Sequence, residues 1–413
     1  MTPPAGDRRV VITGIGMITC LGANTKSCWE ALVAGRSGIR TIQRFDLRDS
    51  PVRIGGELPD TYYEMEAAAF PRRMRNQTLS STRFAMLCAK EAIEDANFHP
   101  QGADRERVCV VSGCSQPNYL EGQDPNKPDL GNYLIIRQMV NAIPAWISIQ
   151  HGFKGATFNV ATACASGAFA IAMALDLIRS GRSDAAVVVS MDYLLNYETL
   201  MGFSSLMALA NCNDRPTEAS RPFDAGRTGF VLGNGGCGLV FETEESASRR
   251  GARAYARLAG AGLCSESHNI VAPEPGGKEM ARAMTLAVEN ASLEPTDIGY
   301  ISAHGTSTIQ NDAAETAATK IAFGEHARKL CISSQKSMTG HTIGGAGAIE
   351  CGATALILHH QIATPTINYR ERDPNCDLDY VPNVARPMPE LKAALSNSFG
   401  FGGHNCSLAL TRV

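Results

Sequence analysis

Residues 157–181 read TFNVATACASGAFAIAMALDLIRSG, and the reading of the fold starts from them. Thr157 to Val160 is a short β-branched and aromatic run that predicts a strand. A tight turn of small residues follows, and Ser166 to Arg179 then predicts a helix made largely of alanine. Residues 330–361, LCISSQKSMTGHTIGGAGAIECGATALILHHQ, repeat the order of strand, loop and small-residue helix. The two stretches share element order and little residue identity. That order implies two similar halves dividing near Arg250-Gly251.

Working outward, strand-like runs fall at 9–13, 108–112, 185–190, 238–242, 298–303, 330–333 and 407–410, most of them bounded by Gly or polar residues. Helical patterns occupy 82–97, 279–290, 313–323 and 346–359. Strands alternating with helices predict a layered α/β architecture with a mainly parallel sheet. Two long connections, 116–132 and 214–227, interrupt the alternation, and the first is polar and proline-containing, as expected of a surface excursion beside a site or an interface.

Composition removes several classes of function. In 413 residues, 38 basic and 41 acidic side chains leave a net charge of -3, so no basic field exists to hold a phosphate backbone. Nucleic acid is therefore not an expected partner. No run of 18 apolar residues and no signal-peptide pattern occurs, so the expectation is a cytoplasmic chain that neither crosses a membrane nor is secreted. Thirteen cysteines, an odd number without C-x-x-C spacing, suit a reducing compartment better than a disulfide framework. The nine histidines contain no H-x-x-x-H pair, and no metal site is expected.

Three residues stand out for chemistry. Cys164, in ATACASGA, lies at the start of the small-residue helix, where the helix dipole favours thiolate and small neighbours admit a substrate. Taken alone it is equally a small hydrophobe in a packed turn. His304, in ISAHGTST, ends a strand, and His341, in KSMTGHTIGGAGAIE, sits on a glycine-rich loop leading into a helix. Together they form a Cys-His-His set suited to holding a thioester and a developing oxyanion in one pocket. Residues 397–407, NSFGFGGHNCS, offer glycine-rich backbone suited to a gate or to an N–H donor, although by itself such a run is an ordinary turn.

These motifs resemble those of elongating β-ketoacyl-acyl-carrier-protein synthases of the thiolase superfamily. The resemblance runs from RRVVITGIGMIT (8–19) through FDAGRTGFVLGNGGCGLV (223–240) and AHGTST (303–308) to the 397–403 run. It implies a thiolase-like α/β fold of two similar βαβαβ halves in a five-layer α-β-α-β-α sandwich. The N-terminal half, 1–250, would carry Cys164, and the C-terminal half, 251–413, His304 and His341. In that family the growing chain is held on the residue matching Cys164, and the two histidines bind the malonyl thioester carbonyl. Lys336, Glu350, Asp312 and Glu315 match a buried charge network that orients them. The backbone N–H groups of Cys164 and Phe401 match the oxyanion donors, with Phe399 and Gly400 in the same gate. Thr306, Thr308, Phe203 and Cys114 match substrate-contacting positions, Cys114 at the end of the acyl tunnel, where it is smaller than the isoleucine common in relatives.

The implied reaction is decarboxylative condensation of malonyl-carrier protein with an acyl group on Cys164, with no permanently bound cofactor and with substrates arriving on 4'-phosphopantetheine. The implied partners are an acyl carrier protein, docking on Arg72, Arg73 and Arg75 of FPRRMRNQT, and a second subunit: either another copy or a paralogue resembling a chain-length factor. The dimer is expected across the strand edge of the apolar run ATFNVATACAS (156–166), which borders Cys164. A priming synthase carries Asn where His341 stands, and a thiolase has a second catalytic cysteine near the C-terminal glycine run, so the Cys-His-His set favours elongation. The unusual residues 112–133 and Val271, which replaces a threonine common in relatives, tilt the reading towards a specialised type II polyketide or polyene pathway. Housekeeping fatty-acid elongation, or a non-catalytic chain-length-factor role, are the alternatives.

Overall fold

The computed structural model describes residues 8–116 and 133–413. Ten strands form its main sheet: β1 (Val10–Ile18), β2 (Val108–Gly113), β3 (Thr157–Val160), β4 (Ala185–Asp192), β5 (Gly235–Thr243), β6 (Ala256–Ser265), β7 (Ile298–Ser302), β8 (Cys331–Ser333), β9 (Ala393–Gly400) and β10 (His404–Thr411). They lie in the order β8-β7-β9-β10-β6-β1-β5-β4-β2-β3. From the outer edges inward, the first half runs β3-β2-β4-β5-β1 and the second β8-β7-β9-β10-β6, which is one topology used twice. The halves meet where β1 pairs antiparallel with β6, through Val10, Val11 and Ile12.

The expectation of a mainly parallel sheet is corrected here. β2 is parallel to β3 and β4, and β7 to β8 and β9, but the remaining neighbours run antiparallel. The short turn between β9 and β10 permits nothing else, since parallel neighbours need a long crossover. Sequence reasoning also missed β6 (ARLAGAGLCS) and β9 (AALSNSFG), whose small and polar residues lack the β-branched signature.

Helices fill the layers between and outside the halves: α1 (Ser80–Asp95), α2 (Ala142–His151), α3 (Ser166–Arg179), α4 (Tyr197–Ser205), α5 (Lys278–Asn290), α6 (Ile309–Phe323) and α7 (Ala346–His360). α3 and α7 pack against each other and touch strands of both halves, forming the middle layer. α1 and α2 cover the first half from outside, and α5 with α6 cover the second, completing the five-layer sandwich. The outer helices lie on bare strand backbone. A Cβ on Gly16 of β1 would meet the Cys88 carbonyl at 2.1 Å, and one on Gly262 of β6 the Ala283 carbonyl at 2.1 Å. Alanines and branched apolar residues of α3 and α7 interleave with Ile12, Met17, Val188 and Leu239 in a core common to both halves.

The connection at 116–132 falls, from residue 117 on, outside the described residues. The strand expected at an interface, β3, is an edge strand with a partly exposed face. Among the described residues no helix is long and apolar enough to cross a membrane, and no group of three or more His, Cys, Asp or Glu is placed to hold a metal ion.

Candidate active site

A cavity of about 340 Å³ opens where the two halves' middle-layer turns meet. Cys164, His304 and His341 all line it, together with Phe399, Gly400, Phe401, Thr306, Thr308 and Phe203. The sequence separates these residues by up to 237 positions; the doubled fold brings them together because every loop involved leaves the same end of the sheet.

Cys164 occupies a single 3-10 turn, Ala163–Ala165, between β3 and α3. Ala163 adopts φ 48°, so the chain turns sharply before the helix begins. The close approach of the β9 end is what Gly400 permits: a Cβ there would lie 2.8 Å from Thr162 O and 3.0 Å from Ala165 N. Beyond it Gly402 and Gly403 take φ 84° and 75°, which suits glycine, and the turn they make brings the Phe401 N–H to the Cys164 sulfur.

One expectation fails at this point. The start of the helix was expected to favour thiolate, but burial pushes the Cys164 thiol up to about 12, against the pull of Lys336 and the Phe401 N–H. Cys164 is 5% exposed, and desolvation outweighs the dipole there. Burial thus favours the thiol form of Cys164 over the thiolate.

His304 follows β7 and His341 follows the short helix Lys336–Thr339; their rings stand edge to face, with centroids 5.4 Å apart. Lys336 Nζ donates to His304 O at 2.6 Å and lies 3.4 Å from His304 Nδ1. The Ile343 N–H donates to His341 Nδ1 at 3.3 Å. Since an ammonium and a backbone amide can only donate, Nδ1 accepts in both rings and the proton sits on Nε2. Burial and the Lys336 charge hold both imidazoles well below their ordinary value, with His341 adding to the shift on His304. Both are neutral N–H donors.

The supporting charges divide into two groups. Lys336 pairs with Glu350 of α7, whose carboxyl burial raises to about 7. Glu315 of α6, also raised to about 7 by burial, accepts from the backbone N–H groups of His304 and Gly305 at 2.8 Å each. Asp312 reaches neither histidine. It accepts from Phe223 N at 2.8 Å and Ser307 N at 3.2 Å, and faces Arg227 at 3.6 Å, so it fixes the loop ends and not the rings.

The threonine hydroxyls of Thr306 and Thr308 lie 2.9 Å apart on the cavity wall, and Thr308 also caps α6 by accepting from Asn311 N. Val271 lies on the rim. Phe203 of α4 packs edge-on to Phe230 at 5.2 Å, and Phe230 in turn abuts the His341 ring at 5.2 Å. Sequence reasoning gave Phe230 no role, although it stands inside the quoted 223–240 block. Phe399 covers His304 at 5.9 Å.

Two sets of expected residues lie elsewhere. Cys114 is 1% exposed and its thiol faces Asp192 Oδ1 at 3.2 Å, within a packed cluster, so it is not on the wall of this cavity. Arg72, Arg73 and Arg75 form a single helical turn outside the cavity. All three are exposed, and Arg75 also donates to Phe70 O at 2.8 Å and Ala67 O at 2.6 Å.

The family model for the beta-ketoacyl synthase N-terminal domain matches residues 7–247, and that for the C-terminal domain matches 255–370. The chain belongs to the beta-ketoacyl synthase family. It is 39% identical over 413 residues to 3-oxoacyl-(acyl-carrier-protein) synthase 2 of Synechocystis, covering 98% of each chain. It is 38% identical over 419 residues to the tetracenomycin polyketide synthase ketoacyl synthase alpha subunit of Streptomyces glaucescens, covering 98% of this chain and 97% of that one. Among solved structures, a chain from the complex of a type II polyketide synthase acyl-carrier protein with its ketosynthase superposes with a TM-score of 0.87 at 30% identity, over 98% of this chain and 100% of that chain. The chain is thus an acyltransferase of the ketosynthase class with a thiolase-like fold, and this class works on carrier-bound thioesters without a permanent cofactor.

Proposed function

We propose that Cys164 takes an acyl group from a carrier-protein thioester and that His304 and His341 then drive its condensation with a malonyl unit. The carrying observation is the meeting, around one cavity, of a thiol, a backbone N–H that reaches its sulfur, and two neutral imidazoles whose Nδ1 atoms are engaged on the protein side. In the first half-reaction the Cys164 sulfur attacks the acyl carbonyl, the carbon–sulfur bond to phosphopantetheine breaks, and the Cys164 proton ends on the departing thiol. The backbone N–H groups of Cys164 and Phe401 hold the oxyanion formed on the way. In the second, malonyl-carrier loses CO₂, and the Nε2–H groups stabilise the enolate oxygen without protonating its carbon. That carbon attacks the acyl-Cys164 carbonyl, a carbon–carbon bond forms, and the sulfur leaves and takes up a proton.

Lys336, Glu350 and Glu315 serve as positioning residues for His304, and Asp312 for the loop around it. Phe399 and Gly400 belong to the gate with Phe401; Thr306, Thr308 and Phe203 border the pantetheine and acyl path. Residues 1–250 thus supply the nucleophile and 251–413 the histidines. A catalytically silent chain-length-factor role is disfavoured because nothing in the set is missing.

The partner is an acyl carrier protein, with Arg72, Arg73 and Arg75 as the exposed cations of the expected docking patch. A second subunit, a copy or a paralogue, is expected against β3, and Ile149 stands exposed on α2, which packs on that strand. The cellular setting fits cytoplasmic elongation of a fatty-acid or polyketide chain, with the lean to a specialised pathway resting on residues 112–133 and Val271. The test is a condensation assay with malonyl-carrier protein and a ladder of saturated and unsaturated acyl-carrier proteins, read by intact-protein mass spectrometry. Extended 3-oxoacyl-carrier products support the reading; acylation of Cys164 without extension of any primer refutes it.

A further inference from the structure

The end of β4 carries two buried polar side chains, Ser190 and Asp192, that the chemistry above leaves unused. Asp192 is 1% exposed and accepts four hydrogen bonds. Its Oδ1 takes Ser115 N at 3.0 Å and Cys114 Sγ at 3.2 Å; its Oδ2 takes Gly344 N at 2.7 Å and the Ser115 hydroxyl. Ser190 Oγ lies 2.7 Å from Gly344 O and also contacts Gly113 O. Gly344 is therefore gripped through both its N–H and its carbonyl. It stands three residues beyond His341, whose Nδ1 is bonded by the intervening Ile343 N–H. A Cβ on Gly344 would lie 2.8 Å from Asp192 Oδ2 and 2.9 Å from Ser115 N, so the contact leaves no slack.

We propose that Asp192 is a positioning residue for His341: by holding Gly344 it fixes the turn that aims the imidazole, and it ties that turn to the end of β2. The proposal rests on the reading of His341 as a stabiliser of the enolate. Four donors occupy the carboxylate, so an amide in its place must turn an NH₂ against either Gly344 N–H or Ser115 N–H. A shift of the imidazole of even a fraction of an ångström weakens a bond that matters only when the enolate forms. The Asp192 charge also raises the Cys164 thiol, so removing it should ease ionisation of the nucleophile while harming decarboxylation. A merely structural role predicts no such opposition.

The test uses the full chain and two separate readouts: decarboxylation of malonyl-carrier protein without a primer, and the rate of Cys164 alkylation by iodoacetamide. For Asp192→Asn the expected result is a fall of about 10- to 100-fold in decarboxylation, with alkylation unchanged or a few-fold faster. Gly344→Ala breaks the same contact from the other side and should match the decarboxylation loss; it carries the test if Asp192→Asn does not fold. The double variant should be no worse than the poorer single one, because both remove one interaction. Equal slowing of both readouts, or losses that multiply in the double variant, would overturn the proposal. A wild-type chain that alkylates normally yet never decarboxylates would instead remove the reading of His341 on which the proposal stands.

Discussion

The turns that lead into α3 and α7 are the same device used for opposite ends. Each is one 3-10 turn, Ala163–Ala165 and Ile343–Gly345, and each opens on a non-glycine residue with positive φ, 48° and 49°. In the first half the next residue is Cys164, whose side chain is the proposed nucleophile. In the second it is Gly344, which has no side chain and is held by its backbone, and the proposed enolate stabiliser, His341, stands three residues upstream. Doubling the fold supplied two matched turns facing one cavity, and the chemistry came from what each turn was allowed to carry.

The sharpest way to break this division is to disarm the first turn. Cys164→Ser keeps the size and the backbone but replaces a thiol by a hydroxyl that no nearby strong base activates. Chain extension should fall by at least about 10³-fold, measured as 3-oxoacyl product by mass spectrometry, while malonyl decarboxylation persists. If decarboxylation disappears as well, the two turns do not act independently.

The second turn is tested by His341→Ala. Loss of one preorganised donor to the enolate should lower decarboxylation about 10²- to 10³-fold. Transfer of an acyl group from carrier protein to Cys164 should continue, seen as a mass shift on the protein. An acylation defect of equal size would place His341 in both half-reactions and blur the contrast between the halves.

Much of this contrast was legible in the sequence, and the reasons differ by residue. The strand–turn–helix order around Cys164 and His341 was readable because small-residue helices and β-branched strands have strong local signatures. β6 and β9 were not, since glycine and alanine there answer to helices pressed on the strand, a tertiary demand without a periodic trace. Burial misled the reading of Cys164: helix position is local, whereas desolvation depends on what the whole fold packs around the sulfur. Asp192 was invisible for a related reason. It ends an apolar strand, AAVVVSMD, and only the fold shows that it faces Gly344 and Ser115. The one available signal was a carboxylate closing an otherwise buried run.

Gly400 offers a smaller perturbation, aimed at the contact that completes the first turn. In Gly400→Ala the new methyl would press on Thr162 O and Ala165 N, both backbone atoms, so the β9 end must retreat. The Phe401 N–H then leaves the Cys164 sulfur. We expect condensation to drop about 10- to 100-fold and stability to fall by about 1–3 kcal/mol, read by kcat and by denaturant midpoint. A normal kcat would mean that Phe401 N–H contributes nothing to the oxyanion.

The smallest effect tests the duplication away from the cavity. Gly16 of β1 and Gly262 of β6 sit under equivalent helices, and a Cβ on either would meet Glu91 Cβ at 2.9 Å or Leu286 Cβ at 2.8 Å. Where the second half places a leucine, the first places a carboxyl that burial raises to about 7. Glu91 Oε1 accepts from Thr25 N at 2.7 Å, but Oε2 is buried without a partner. Because the folded pKa lies above the unfolded one, the folded state binds the proton more tightly. The protonated group therefore favours folding at low pH, and that advantage is lost as pH rises from about 4.3 through about 7. Glu91→Gln keeps the acceptor for Thr25 and carries no charge. It should leave the Tm almost unchanged at pH 5 and raise it at pH 8, by about 1–3 °C for roughly 1–2 kcal/mol. A variant equally stabilised at both pH values would show that the gain comes from packing, with the Glu91 charge already accommodated in the fold.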